Sequence, residues 1–66
     1  MPDVMVYMSE GRTTDQKRAL VKKVTDAFVE ALGVKSDSVG IQIVELKDEN
    51  FARNGLILPD RRKLQQ

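Results

Sequence analysis

The chain has 66 residues and a mass of 7.4 kDa, with eleven Lys and Arg against ten Asp and Glu for a formal charge of +1. It contains no cysteine, no histidine and no tryptophan. These absences exclude disulfides, an ordinary zinc site, and Ser-His-Asp or Cys-His catalysis, which needs an imidazole as base.

Val4 to Met8 is β-branched and aromatic and ends at Ser9-Glu10-Gly11, which predicts a strand. Val4, Val6 and Met8 fall on one face, Met5 and Tyr7 on the other. Apolar residues at both parities mark a strand covered on both sides, as in parallel sheets. A helix follows. Thr13 is the expected N-cap, with Gln16 at capping-box distance and Thr14 as the alternative cap one residue later. Leu20, Val24, Ala27, Phe28, Ala31 and Leu32 then recur in steps that form an apolar stripe, while Lys22, Lys23, Asp26 and Glu30 lie off it. Gly33 supplies the left-handed C-cap, closing a helix of about 18–20 residues.

After a polar connection, Lys35 to Ser38, a second strand is expected from Val39 to Leu46. Strand, helix and strand in this order predict a βαβ unit with parallel strands and a right-handed crossover. Asp48-Glu49-Asn50 is a polar turn, and Asn54-Gly55 is a turn dipeptide. Leu56-Ile57-Leu58 reads as a short apolar arm, closed by Pro59 and followed by a polar tail from Asp60 to Gln66. The expected fold class is α+β: one domain over residues 1–66, a βαβ unit plus a short C-terminal hairpin or arm.

One helix covers one face of two strands, and two strands with a bare apolar face are not stable in water. A chain of this size also buries only about 60% of the surface its unfolded form exposes. With disulfides and metal excluded, partner subunits are the remaining source of a core. Sheets joined and stacked between the copies of a homo-oligomer are therefore expected. The balanced charge is not the basic field of a nucleic-acid binder, and Arg61-Arg62-Lys63 without interleaved aromatics does not change that. No apolar run approaches the ~20 residues of a membrane span, and no apolar core of a secretory signal is present. A soluble, cytoplasmic protein with no nucleic-acid or membrane partner is expected.

Two residues stand out for chemistry. Removal of Met1 would leave Pro2 as the N-terminus, a secondary amine. Ordinary α-amino groups titrate at about 7.7–8.0, and an apolar pocket or a nearby guanidinium lowers this further. That makes Pro2 a candidate general base in a chain without histidine. With Met1 attached the same nitrogen is a tertiary amide and has no basicity, and Met-Pro is also simply how many chains begin. Arg12, in Glu10-Gly11-Arg12 after the first strand, offers a fork of donors suited to a carboxylate. A solvated turn arginine is the other reading.

Met-Pro, the first strand, Glu10-Gly11-Arg12, Thr14-Asp15-Gln16-Lys17, the Ser38-Val39 pair and Phe51 occur in one order and spacing. Over nearly the whole chain this resembles the 4-oxalocrotonate tautomerase family. The resemblance implies dimers whose sheets join, and commonly homohexamers of three dimers. It implies 1,3-keto–enol tautomerisation without cofactor or metal, in settings such as the degradation of aromatic compounds. Pro2 would move a proton between the enol oxygen and a substrate carbon. Arg12, from a neighbouring subunit, would bind a substrate carboxylate, and Phe51 would line the apolar pocket. Without the family, Phe51 reads equally as a core residue under a loop.

The resemblance breaks at one position. The family's best-studied members carry a second arginine directly after the Ser-Val pair, where it polarises the carbonyl and binds a carboxylate; here that residue is Gly40. Loss of one such charge-assisted contact costs about 1.5–3 kcal/mol, or about 10- to 150-fold. Arg53, two residues after Phe51, or the tail arginines Arg61 and Arg62 are candidates to compensate. A monocarboxylate enol such as phenylenolpyruvate becomes as good a candidate substrate as 2-hydroxymuconate. The alternative is a non-catalytic oligomeric binding module that keeps the fold.

Overall fold

The polypeptide between Thr13 and Gly33 folds as its end signals require. In the computed structural model, which describes residues 1–64, helix α1 spans Thr14–Leu32. The Gln16 amide donates to Thr13 Oγ1 at 3.1 Å, and the Thr13 amide donates to Gln16 Oε1 at 2.9 Å. This closed capping box satisfies two amides that the helix cannot pair itself, a contribution of about 1 kcal/mol for the cap. Gly33 ends the helix at φ 69°, its amide donating to Val29 O at 2.9 Å.

Strands β1 (Asp3–Ser9) and β2 (Gly40–Leu46) flank α1 in sequence and pair in parallel, from Asp3 opposite Gly40 to Ser9 opposite Leu46. The expected βαβ unit is therefore present. Its register sorts the side chains into two faces. Val4, Val6 and Met8 share one face with Ile41, Ile43 and Glu45, and an ion pair from Lys17 to Glu45 shows that α1 lies over it. Met5, Tyr7, Gln42, Val44 and Leu46 share the other, where Met5 is 55% and Tyr7 64% exposed.

Of the hairpin or arm expected near the C-terminus, the hairpin is present. Two features differ from the sequence expectation, and the first is that the segment after it is a helix and not a polar tail. Ala52–Arg53 (β3) and Leu56–Ile57 (β4) form an antiparallel hairpin, and Leu58–Leu64 is a second helix, α2. Asn54 and Gly55 turn the hairpin with φ of 52° and 77°, the two left-handed positions of a type I′ turn. Pro59 does not stop the chain. It occupies the first turn of α2, where a missing amide costs no intrahelical bond. The last two residues of the expected tail, Gln65 and Gln66, lie outside the described residues.

The apolar stripe of α1 is also rotated from the expectation. Leu20, Val21, Val24, Thr25, Phe28 and Val29 are half-buried, whereas Ala27, Ala31 and Leu32 are exposed. A helix of 19 residues is about 28 Å long, against roughly 20–23 Å for a seven-residue strand. The excess is about one turn, which fits the exposure of Ala31 and Leu32; the exposure of Ala27 comes from the rotation of the stripe.

No residue among those described is buried. The surface area is 5352 Å², about 1,100 Å² more than the roughly 4,200 Å² of a compact protein of this mass. That excess is larger than one partner's share in a standard interface, about 800 Å². The radius of gyration is 15.6 Å, against about 11 Å for a compact chain of this length. The thermal midpoint should therefore rise with protein concentration. Tyr7→Lys, which puts a charge on the uncovered face, should shift sedimentation toward the 7.4 kDa single chain. A midpoint independent of concentration would show that one copy is stable alone.

Candidate active site

Pro2 stands half-buried at the start of β1, where its carbonyl accepts the Gly40 amide at 3.0 Å. Met1 before it is 90% exposed. Arg12 lies beyond the other end of the strand. The chain leaves β1 with the Glu10 amide donating to Leu46 O at 2.9 Å, turns at Gly11 with φ 114°, and reaches α1 through Arg12 and Thr13. The exposed Arg12 borders a hollow of about 270 Å³ with Met8, Gln16 and Leu20, and it carries no ion pair among the described residues.

Phe51 also belongs to this second end. It lines a cavity of about 360 Å³ with Tyr7, Met8, Ser9, Leu46 and Leu58. The Leu58 amide donates to Phe51 O at 2.9 Å, which ties α2 to the hairpin and fixes the backbone beside the ring. Arg53 stacks its guanidinium 5.3 Å from the centre of the Phe51 ring, and Arg61 donates to Arg53 O at 3.4 Å. Arg62 reaches back to Asp48 at 2.6 Å.

The fold thus gathers Phe51 and Arg53 and holds Arg62 against the turn that precedes them. Arg12 shares this end of the sheet. Pro2 is at the opposite end, about 20 Å away along a seven-residue strand. Within one copy no small molecule touches Pro2 and Phe51 together. Two participants were not singled out in the sequence. Tyr7 was placed on the second face of β1, and that parity was the available signal for its exposure. Asp48 lies fourteen positions from Arg62, and no local pattern links them.

The sequence pattern of the family described as tautomerase enzyme matches residues 2–61. The chain belongs to the tautomerase family. Among its relatives, the 2-hydroxymuconate tautomerase of Comamonas testosteroni is 43% identical over 56 residues, covering 85% of this chain and 89% of that protein. The 2-hydroxymuconate tautomerase of Bacillus subtilis (strain 168) is 43% identical over 60 residues, covering 91% and 97%. A structure of the 4-oxalocrotonate tautomerase isozymes from Methylibium petroleiphilum superposes with a TM-score of 0.90 at 38% identity, covering 96% of this chain and 98% of that one. This tautomerase is accordingly an isomerase of the 4-oxalocrotonate tautomerase type. No helix among the described residues is long and apolar enough to cross a membrane.

In this tautomerase the Arg62–Asp48 pair holds α2 against the turn at Asp48–Asn50, with side chains 56% and 34% exposed. Solvent screening limits such a pair to about 0.2–1 kcal/mol. A double-mutant cycle of Arg62→Ala and Asp48→Ala in urea unfolding should return a coupling in that range. A coupling of zero would mean that the two side chains do not hold α2.

Proposed function

We propose that the chain is a cofactor-independent keto–enol tautomerase of enol or 2-oxo acids, such as 2-hydroxymuconate or phenylenolpyruvate. Its base is the Pro2 amine freed by removal of Met1, and its site is assembled from more than one copy of the chain. The observation that carries this reading is the position of Pro2. It is the first residue matched by the family, half-buried at the start of β1 and directly following an exposed methionine.

The chemistry is a single proton relocation. The neutral amine takes the proton of the enol hydroxyl as the oxygen becomes a carbonyl, and the resulting ammonium returns a proton to the conjugated carbon. Bonds and electrons balance within the substrate, so no redox partner is required. Arg12 contributes a paired, charge-assisted contact to the substrate carboxylate, which holds the reacting carbon near the amine. Phe51 supplies an apolar wall that disfavours the ammonium form of the base.

The separation of Pro2 from Arg12 and Phe51 supports a shared site. A two-fold axis perpendicular to the strands makes the two sheets run antiparallel, which sets the Pro2 end of one copy against the Phe51 end of the other. A dimer is the smallest assembly that completes the constellation in this way, and a hexamer built from three dimers contains it too. Arg53, stacked on Phe51, is the cation nearest the wall of the pocket and the candidate to contact the far end of the substrate. Arg62 pairs with Asp48 in one copy, an exposed pair for which a substrate carboxylate competes at small cost.

An ultraviolet assay of enol ketonisation tests the reading. Pro2→Ala should lower kcat/KM by at least about 100-fold, the usual worth of a positioned base. The active wild-type protein should have an intact mass lacking one methionine. Equal rates for wild type and variant, or full activity with Met1 retained, would turn the assignment to a non-catalytic binding module. Arg12→Ala should act differently, raising KM about tenfold or more through one lost charge-assisted contact. An unchanged KM would remove Arg12 from the site.

A further inference from the structure

Asp3 is the single charged residue of β1, and the register sets it opposite Gly40 at the start of the sheet. The two residues fit one another. A Cβ built on Gly40 would lie 2.6 Å from Asp3 Oδ1 and 3.6 Å from its Cγ, so the carboxylate occupies the space that a side chain at position 40 would fill. Gly40 is not among the residues with positive φ, and no turn requires a glycine there. Its lack of a side chain serves the carboxylate.

The Gly40 amide donates to Pro2 O at 3.0 Å, which holds the glycine, the aspartate and the proline together. A hollow of about 430 Å³ adjoins them, lined by Asp3, Val4, Met5, Gly40, Ile41 and Gln42. Its walls carry one carboxylate, one carboxamide and no cationic side chain. Asp3 makes no ion pair among the described residues, so its charge is not neutralised locally.

We propose that Asp3 is the specificity-determining residue of the tautomerase site. Its carboxylate accepts a hydrogen bond from a hydroxyl or other donor on the substrate and repels a second carboxylate. Monocarboxylate enols are therefore selected over dicarboxylates. An ionised carboxylate only accepts hydrogen bonds, so it favours a donor, and like charges brought together on binding are strongly disfavoured. This proposal rests on the reading of Pro2 as the reacting amine, because that reading brings the substrate to the start of β1.

The test compares kcat/KM for 2-hydroxymuconate and for phenylenolpyruvate in the wild type, Asp3→Asn and Asp3→Ala. The ratio of dicarboxylate to monocarboxylate turnover should rise about tenfold or more in both variants, because like-charge juxtaposition on binding is lost with the Asp3 carboxylate. Added salt should raise the ratio in the wild type and leave the variants nearly unchanged, because screening acts on the charge they lack. A second readout needs no turnover. Titration with cis,cis-muconate, followed at the Gly40 amide by NMR, should give at least fivefold tighter binding to Asp3→Asn than to the wild type. A ratio within twofold of wild type in both variants, or equal muconate affinities, overturns the proposal. Failure of the Pro2 mechanism shows separately, as Pro2→Ala turning over at the wild-type rate, and the muconate titration still judges Asp3.

Discussion

A two-stranded parallel sheet has two faces, and this chain supplies one helix. That constraint shapes the rest of the molecule. α1 settles on the face of Val4, Val6, Ile41 and Ile43 and is pinned there by the ion pair from Lys17 to Glu45. The opposite face keeps Met5 and Tyr7 in water, and no described side chain becomes buried. The free energy of removing apolar surface from water, about 25 cal/mol per Å², is thus left largely unrealised within one copy. Covering the face of Met5 and Tyr7 with a second copy would realise part of it.

The same sheet sets the length scale of the chemistry. β1 acts as a ruler of about 20 Å, with Pro2 at one end and the Arg12 and Phe51 group at the other. A longer protein could fold back to bring such groups together. Here the C-terminal segment is used instead to build the pocket wall, through the Asn54-Gly55 turn, the Leu58 to Phe51 hydrogen bond and the Arg62 to Asp48 pair. Under the proposed function, catalytic competence is a property of the assembly.

Much of this was legible in the sequence where the signal is local. Thr13 and Gln16, Gly33, and the two apolar parities of β1 each correspond to the structure, because capping and strand alternation depend on neighbours a few residues away. The parallel pairing followed from the order of the elements. Legibility failed where distant groups decide the outcome. Pro59 is a stop signal in isolation, yet at the first turn of a helix it is tolerated, and nothing before it announces α2. Ala27, Ala31 and Leu32 belong to an apolar stripe by periodicity, but Val21, Thr25 and Val29 take the half-buried face beside Val24 and Phe28 and leave them in water. Arg62 carries a charge that looks free in the sequence, and Asp48 claims it only in three dimensions. The approach of Asp3 to Gly40 across the strand pair depends on register, which a single sequence does not state.

Both strands of this sheet are also edges, each with one row of backbone groups that a further strand can pair. An edge by itself does not choose the direction of the strand that joins it. The charges do. Asp3 is the only charged residue of β1 and Glu45 the only one of β2. In-register parallel docking of either strand on its own copy would set identical carboxylates side by side, about 5 Å apart, an unfavourable cross-strand pair. Antiparallel docking carries the two Asp3 carboxylates to opposite ends of the ribbon. Two acidic residues, one per strand, thereby favour antiparallel over in-register parallel pairing of like strands.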